Sequence, residues 1–565
     1  MSISAFYERS RISLEHGLHA NTVGEGVEPN GDGTAASIHH SSTLEGFVST
    51  SSKDDIAFDM EQSSSRSFEK SGRSTDTQTK HTTDHAWAVE PNVVTVSGRI
   101  QAIRSAGTKL LFIDIVDQPG AKLQVVVDAN KLYIGGMSES PNPVKAFRKL
   151  IQRGDTIHVT GSPYTTTAGE LSLRAVQLPR LTSPCLHQIP ETSFGVDSDF
   201  AHDRHVQMLT DPAVVKGLIA RARIIEGMSD FLRGLQFVNV QTPILAASAG
   251  GANARSFETS ATEFPDRKLA LRIAPELWLK RLIVGGMQKV FEIGPSFRNE
   301  GLDKTHNPEF TTCEFYAVNW SLETLQRETT KMIRSIVRSL GNSTSPSFVN
   351  SIGDAHTIDE PSPWPSIDFV PALNKVLELD LPDLSYPSAR EQIVEIFKTR
   401  SLTLPTTPTL PRLLDKLSSI YLEPQCRTAT WIINMPECMS PLAKSFSHPQ
   451  LPHQQVSARA ELFIDHKEVV NCYEEENSPI EQRRKLIDQQ GYARLGQEVD
   501  EEAMKIDEDY IRALEWGLPT TGGWGCGIDR LCMLMLGKDN ISDVLAFGNL
   551  RSVTRGAGKW EKSHG

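Results

Sequence analysis

The chain has 565 residues, 39% of them hydrophobic and 23% charged, with a formal net charge of −12. Its length exceeds one ordinary domain, and its acidity argues against a surface that is basic throughout, although a local basic patch can still meet nucleic acid. No apolar run approaches the roughly 18 residues that a membrane-spanning helix needs, and the seven cysteines form no CxxC pair, which speaks against zinc ribbons and disulfide scaffolds and for a reducing compartment.

Residues 1–85 are rich in Ser, Thr, His and Gly and poor in aliphatics. Such a stretch buries too little apolar surface to offset its ordering entropy, so disorder is expected. The opening MSISAFYERSRISLEHG places Arg9 and Arg11 among serines and apolar residues, as a mitochondrial targeting helix does, but Glu8 and Glu15 count against that reading. Residues 86–182 change texture. VVTVSGRI, KLLFIDIVD, AKLQVVVD, DTIHVTGSP and GELSLRAVQL are short β-rich runs separated by turn residues, and five such strands predict a small closed barrel. Residues 183–210, with Pro184 and Pro190, read as a linker.

Residues 211–555 mix helices and strands without strict alternation, which predicts an α+β domain with an antiparallel sheet; 556–565 form a tail. A helix opens with Asp211 as N-cap and Pro212 at its first position, with Val214, Leu218, Ala222, Ile225, Phe231 and Leu232 expected on its apolar face. Residues 321–430 read as helices and proline-broken loops with little visible chemistry.

There is no GxxxxGK[ST] loop, so phosphate chemistry must rest on side chains. FRNEGLDKTHNPEFTTCEFY (297–316) reads as a long-looped hairpin. Strand alternation places Arg298 and Glu300 on one face of its first strand and Phe310, Thr312, Glu314 and Tyr316 on one face of its second. In RAELFIDHKEVVNCYEEE, Asn471, Tyr473 and Glu475 share a face, and Glu461 and Glu468 bracket a turn; such carboxylates suit a hard cation, Mg²⁺ or an ammonium group. In GGWGCGIDR (522–530), alternating glycines would let a ligand lie against the backbone, and Arg530 stands at the start of an apolar helix, where an anion is favoured. Taken singly, each segment also fits a plain structural role: a salt-bridged sheet face, a charged edge strand, a tight turn.

Together the segments resemble class II aminoacyl-tRNA synthetases over about residues 92–550. FRNEG…HNPEFTTCEFY is similar to motif 2, GGWGCGIDR to motif 3, and the helix ending in FVNVQTPIL to motif 1, the dimer-forming element. LRIAPELWLKRL, MSPLAK and the run at 468–475 resemble the lysyl-tRNA synthetase branch. The resemblance implies an antiparallel catalytic sheet preceded by an OB-fold barrel that binds the anticodon. It implies lysine activation by ATP to lysyl-adenylate, transfer to the 3′ end of tRNA(Lys), and a homodimer. Arg298 would grip the α-phosphate and amino-acid carboxylate, Glu300 the adenine amino group, Phe310 the adenine ring, His306 the outer phosphates and Arg530 the γ-phosphate. Arg298, Arg530 and Glu300 would thus carry catalysis, and Glu461 and Glu468 would ligate Mg²⁺. Glu276 and the Gly251 backbone would take the α-amino group, Glu475 and Tyr316 the ε-ammonium, with Glu314 and Asn471 completing the pocket. In the barrel, Phe112, Gln124 and Glu170 would read the anticodon, with Arg99 and Arg104 on phosphate or base; Phe112 could equally be a barrel-core residue. The absence of a lysine-rich N-terminal helix, with the opening peptide, points to an organellar, fungal-type enzyme of the mitochondrial matrix; the cytoplasm is the alternative. The rival readings are an aspartyl or asparaginyl enzyme, which would need a basic pocket, and a non-catalytic tRNA-binding paralogue, which would have lost Arg298, Arg530 or the Glu461–Glu468 pair.

Overall fold

The computed structural model describes Ile3 and residues 92–554 apart from 119–120, 133–141, 191–202, 248–249, 253, 354–361, 496–497, 500–503 and 505. Apart from Ile3, residues 1–85, expected to be disordered with a possible targeting segment, and the tail 556–565 lie outside the described residues. The chain divides into two compact units, residues 1–188 and 189–565.

In the first unit β1 (Val94–Ala106), β2 (Leu110–Gln118), β3 (Ala121–Asp128), β4 (Thr156–Thr165) and β5 (Leu171–Ala175) pair in the order β1-β2-β3-β5-β4, and β4 returns to β1 and closes the barrel. Strand alternation sends Leu111, Ile113, Ile115, Leu123, Val125, Val127, Ile157, Val159 and Leu173 into a continuous core. Helix α1 (Pro143–Leu150), capped by Asn142, adds Val144 and Phe147 to that core. Phe112 alternates with the core residues and is only half-buried, so it belongs to the outer face.

The second unit departs first from the linker expectation: Arg204–Thr210 forms a helix, α2, whose Arg204 guanidinium donates to the carbonyls of Asp543 (3.1 Å) and Leu545 (3.3 Å). Helix α3 (Pro212–Gly234) begins as expected, with the Asp211 side chain accepting from the Ala213 amide at 2.9 Å. Its buried line is Ala220, Ile224, Met228 and Leu232, a strict four-residue spacing, and Ala222 is exposed. Helix α3 packs against the later helix α5 (Leu322–Leu340) along that narrow line, which hydrophobicity alone did not isolate.

Eight strands make the main sheet: β6 (Val238–Asn239), β7 (Lys289–Phe297), β8 (Glu309–Val318), β9 (Ser366–Asp368), β10 (Thr430–Ile433), β11 (Arg459–Ile464), β12 (Lys467–Glu474) and β13 (Thr521–Gly527). They run in the order β9-β10-β11-β12-β13-β8-β7-β6. Every pairing is antiparallel except those of the two edge strands. Helix α3, α5 (Leu322–Leu340) and the later helix Ile528–Met535 share one apolar core with one face of the sheet, through Phe315, Leu462, Cys472 and Trp524. The alternate residues of the same strands are thereby left for the opposite face, where the cavity lies.

Candidate active site

A cavity of about 450 Å³ opens on that face. Phe310, Thr312, Glu314 and Tyr316 of β8 line it together, as period-two alternation requires. Arg298 and Glu300 also line it, but from the loop after β7, which ends at Phe297; the strand expected to carry them stops short. Asn471 and Tyr473 of β12 line it, as do Gly251, Glu276, His306, Glu461, Glu468 and Arg530. The hairpin between β11 and β12 turns at Asp465 and His466, both with left-handed φ (50° and 63°), and sets Glu461 and Glu468 on the same wall.

Glu475 is the exception among the expected residues. It follows the last residue of β12, is buried, and does not line the cavity wall. Its carboxylate pairs with Lys280, one turn along helix α4 (Glu276–Val284) from Glu276. Lys280 Nζ also donates to Glu276 Oε1 at 2.6 Å, and the Tyr473 hydroxyl donates to the same oxygen at 2.5 Å. The rings of Tyr316, Tyr473 and Tyr510 surround the ammonium at 5.5–5.9 Å from their centroids. Burial works against this ammonium, but Glu276 and Glu475 more than offset it, so Lys280 titrates well above an ordinary lysine. Glu475 Oε1 has no hydrogen-bond partner among the described residues.

The glycines of β13 divide their work differently from the expectation. A Cβ on Gly523 would stand 1.8 Å from Glu475 Oε1, and one on Gly522 would stand 2.7 Å from the Trp320 carbonyl oxygen. These two glycines therefore admit groups of the chain itself, and Gly525 and Gly527 are the ones that line the cavity.

Glu314 closes the acidic end. Burial, reinforced by Glu276, pushes its carboxyl up to about 8, against the pull of Arg298. The Tyr316 hydroxyl donates to its Oε2 at 3.3 Å. Burial also pushes the Glu475 carboxyl well above the ordinary glutamate range, against the pull of Lys280.

The opposite end is cationic. The Arg298 guanidinium lies over the Phe310 ring at 5.1 Å. Arg530, in the first turn of its helix, donates through Nη1 to the Glu468 carbonyl at 2.8 Å and through Nη2 to His306 Nε2 at 3.0 Å. That bond leaves the proton of a neutral His306 on Nδ1, which faces Asp303 Oδ2 at 2.8 Å. Burial opposes the charge on Asp303, but donors from Thr305 and His306 outweigh it and hold the carboxyl down at about 2.

A second acidic group flanks the arginines. Burial, with Glu468, Asp415 and Glu423 nearby, pushes Glu461 up to about 8 despite Arg459, whose Nη2 donates to it at 2.5 Å. Among the described residues no three His, Cys, Asp or Glu side chains converge to hold a metal by themselves. The donor set fits a Mg²⁺ that takes its remaining ligands from phosphate oxygens and water. Asp415 lies on Leu410–Tyr421, within the stretch that looked chemically silent, and it lines the cavity. Sequence reasoning also missed Lys280 and Arg459. LRIAPELWLKRL carried the signal for Lys280, because the (i, i+4) spacing from Glu276 puts the two on one helical face.

On the barrel, Arg104 and Phe112 are direct cross-strand partners on the outer face, and Arg104 Nη2 pairs with Asp114 Oδ1 at 3.0 Å. Gln124 Nε2 donates to Glu170 Oε2 at 3.1 Å. Arg99 stands apart, its Nη1 donating to the Gly154 carbonyl at 2.8 Å.

Comparison with known proteins agrees with this architecture. Residues 94–178 match the OB-fold nucleic acid binding domain, and residues 199–551 match the model for class II tRNA synthetases (D, K and N). The chain is 43% identical to the mitochondrial lysine--tRNA ligase of Schizosaccharomyces pombe over 81% of its own length and 84% of the relative's. It is 36% identical to the mitochondrial lysine--tRNA ligase of Saccharomyces cerevisiae (82% and 83% covered) and 36% identical to the lysine--tRNA ligase of Aquifex aeolicus (82% and 74% covered). With a barrel, an antiparallel sheet and a cavity acidic at one end and arginine-lined at the other, the chain belongs to the lysine--tRNA ligase family of class II tRNA synthetases.

Proposed function

We propose that the chain joins L-lysine to ATP to form lysyl-adenylate and pyrophosphate, then passes lysine to the 3′ end of tRNA(Lys). The observation that carries this reading is the polarity of the cavity, with carboxylates and tyrosines at one end and Arg298 and Arg530 at the other. Free lysine has two ammonium groups and one carboxylate, a charge pattern complementary to that surface. A neutral side chain would leave the acidic end short of the second cation that lysine supplies, a basis for discrimination between side chains. An aspartyl or asparaginyl enzyme would need a basic group at the deep end, and the internal Lys280 is already engaged by two carboxylates.

In this reading Glu276 and the Gly251 backbone receive the α-ammonium. Glu475, with Tyr316, takes the ε-ammonium, and Glu314 and Asn471 shape the pocket. The lysine carboxylate attacks the α-phosphorus in line while Arg298 holds both reactants, so the protein's contribution is positioning and charge neutralisation. Phe310 stacks on adenine, Glu300 accepts from its amino group, and His306 and Arg530 hold the outer phosphates. Glu461 and Glu468 would hold Mg²⁺, which supplies charge neutralisation between phosphates. Lysine-dependent ATP–pyrophosphate exchange tests the reading: exchange supported only by aspartate or asparagine would replace it with the rival enzyme, and none with any amino acid would leave a tRNA-binding paralogue.

On the barrel, Arg104, Phe112, Gln124 and Glu170 form the proposed anticodon face, with Arg99 at its margin. Homodimerisation through the motif 1 region is supported by exposed Ile219, Val238, Ile244 and Leu245. A mitochondrial site of action is supported by two relatives named mitochondrial, although others are named cytoplasmic. A fluorescent fusion with and without residues 1–30 decides between the compartments.

A further inference from the structure

Lys280 is fully buried and shares its ammonium between two carboxylates from different elements: Glu276 at the start of its own helix and Glu475 beyond the end of β12. Resting on the function proposed above, the first of these carboxylates faces the amino acid's α-amine and the second its far end. We propose that Lys280 is a positioning residue for substrate length, an internal ammonium that locks the separation between Glu276 and Glu475 and so selects lysine over amines one methylene shorter.

Three observations support this. First, nothing but Lys280 joins the two carboxylates in the ion pairs described: Glu276 otherwise accepts from Tyr473, and Glu475 Oε1 has no hydrogen-bond partner among the described residues. Second, neither end of the clamp is free to drift. Glu276 is fixed on a helix, and Glu475 lies against Gly523, where a Cβ would stand 1.8 Å from its oxygen. The ammonium itself is caged by the rings of Tyr316, Tyr473 and Tyr510. Third, Lys280 does not line the cavity, so it acts on the substrate only through the carboxylates it holds. A rigid spacing discriminates by chain length, whereas loose carboxylates would follow a shorter amine inward.

The test compares L-lysine and L-ornithine in ATP–pyrophosphate exchange, using the full chain and its Lys280→Met variant, which keeps the volume and removes the charge. The expected result is a fall of about 10-fold or more in the lysine-to-ornithine ratio of kcat/KM, the scale on which a methylene is discriminated, with KM for ATP unchanged within about twofold. Equal losses for the two amino acids would overturn the proposal and leave Lys280 a purely structural residue. If Lys280→Met does not fold, Lys280→Gln, which removes the charge on a shorter polar side chain, is read by the same ratio. Failure of both variants to fold also overturns the proposal. Absence of lysine-dependent exchange in the unmodified chain would instead strike the function proposed above.

Discussion

Arg272 donates through Nη1 to Oε1 of Glu292 at 2.6 Å, and both side chains are buried beneath the strand that leads to Arg298. Thr242 adds two donors to Glu292 Oε2, from its amide (3.1 Å) and its hydroxyl (2.7 Å), while Arg272 Nε donates to the Pro295 carbonyl at 2.8 Å. Gly294 makes room for this network, since a Cβ there would stand 2.7 Å from Arg272 Nη2. Removing one partner of a buried pair leaves the other charge uncompensated, at a cost of about 3–5 kcal/mol, whereas exchanging both for apolar residues of similar volume is far milder. Urea unfolding of Glu292→Ala is therefore expected to show a loss of that size, with Arg272→Met/Glu292→Leu recovering much of it. Equal losses in the single and double variants would contradict the ion-pair explanation.

The acidic end of the cavity predicts a proton linkage. Glu314 titrates at about 8 in the folded chain, against 4.5 for an ordinary glutamate. Between those values the native state holds a proton that the unfolded chain has released, so this group's contribution to stability is fully present below about 4.5 and declines as pH rises toward 8. A cationic ligand favours the ionised carboxylate, so lysine binding near pH 7 is expected to release protons and to tighten as pH rises toward 8. Calorimetric titrations in two buffers of different ionisation enthalpy measure the release directly. Glu314→Gln should reduce it, and an unchanged proton count would show that the linkage lies elsewhere.

Much of this chemistry was legible from spacing. Period-two alternation placed Phe310, Thr312, Glu314 and Tyr316 on one wall, and the turn between Glu461 and Glu468 brought two carboxylates together. What escaped the sequence was the partner each charge chooses. Glu475 meets Lys280 from nearly two hundred positions away, a contact set by tertiary packing rather than local pattern. Asp415 reaches the cavity from a helix whose regular apolar face, Leu410, Leu413, Leu414 and Leu417, is what the sequence advertises. Arg298 and Glu300 were expected on a strand that in fact ends at Phe297, yet both line the cavity, because a loop can present the same side chains that a longer strand would.

If Glu461 and Glu468 hold Mg²⁺ as proposed, the requirement for the ion depends on pH. Burial, with Glu468, Asp415 and Glu423 alongside, lifts Glu461 to about 8, so at neutral pH a divalent cation must displace a proton to bind there. The Mg²⁺ concentration giving half-maximal pyrophosphate exchange is expected to fall as pH is raised from 6.5 to 8.5. Glu468→Gln should raise it on the order of 10-fold or more, the scale on which even supporting partners of a metal site matter. A requirement independent of both pH and Glu468 would place the ion elsewhere.

The proposed anticodon role of Phe112 distinguishes tRNA recognition from amino-acid activation. It sits on the outer face of the barrel opposite Arg104, half-exposed, and makes no part of the barrel core formed by Leu111, Ile113 and Ile115. An aromatic ring so placed offers a stacking platform to an unpaired base, worth about 1–3 kcal/mol per base. In the proposed reaction, adenylate formation takes place in the other unit and involves no residue of the barrel. Phe112→Ala should therefore leave lysine-dependent exchange and the thermal midpoint unchanged while raising KM for tRNA in aminoacylation by about 5- to 160-fold, the same interval expressed as a ratio. Were exchange to fall along with aminoacylation, the ring would be acting on the fold. Were neither to change, the anticodon would be read by another surface.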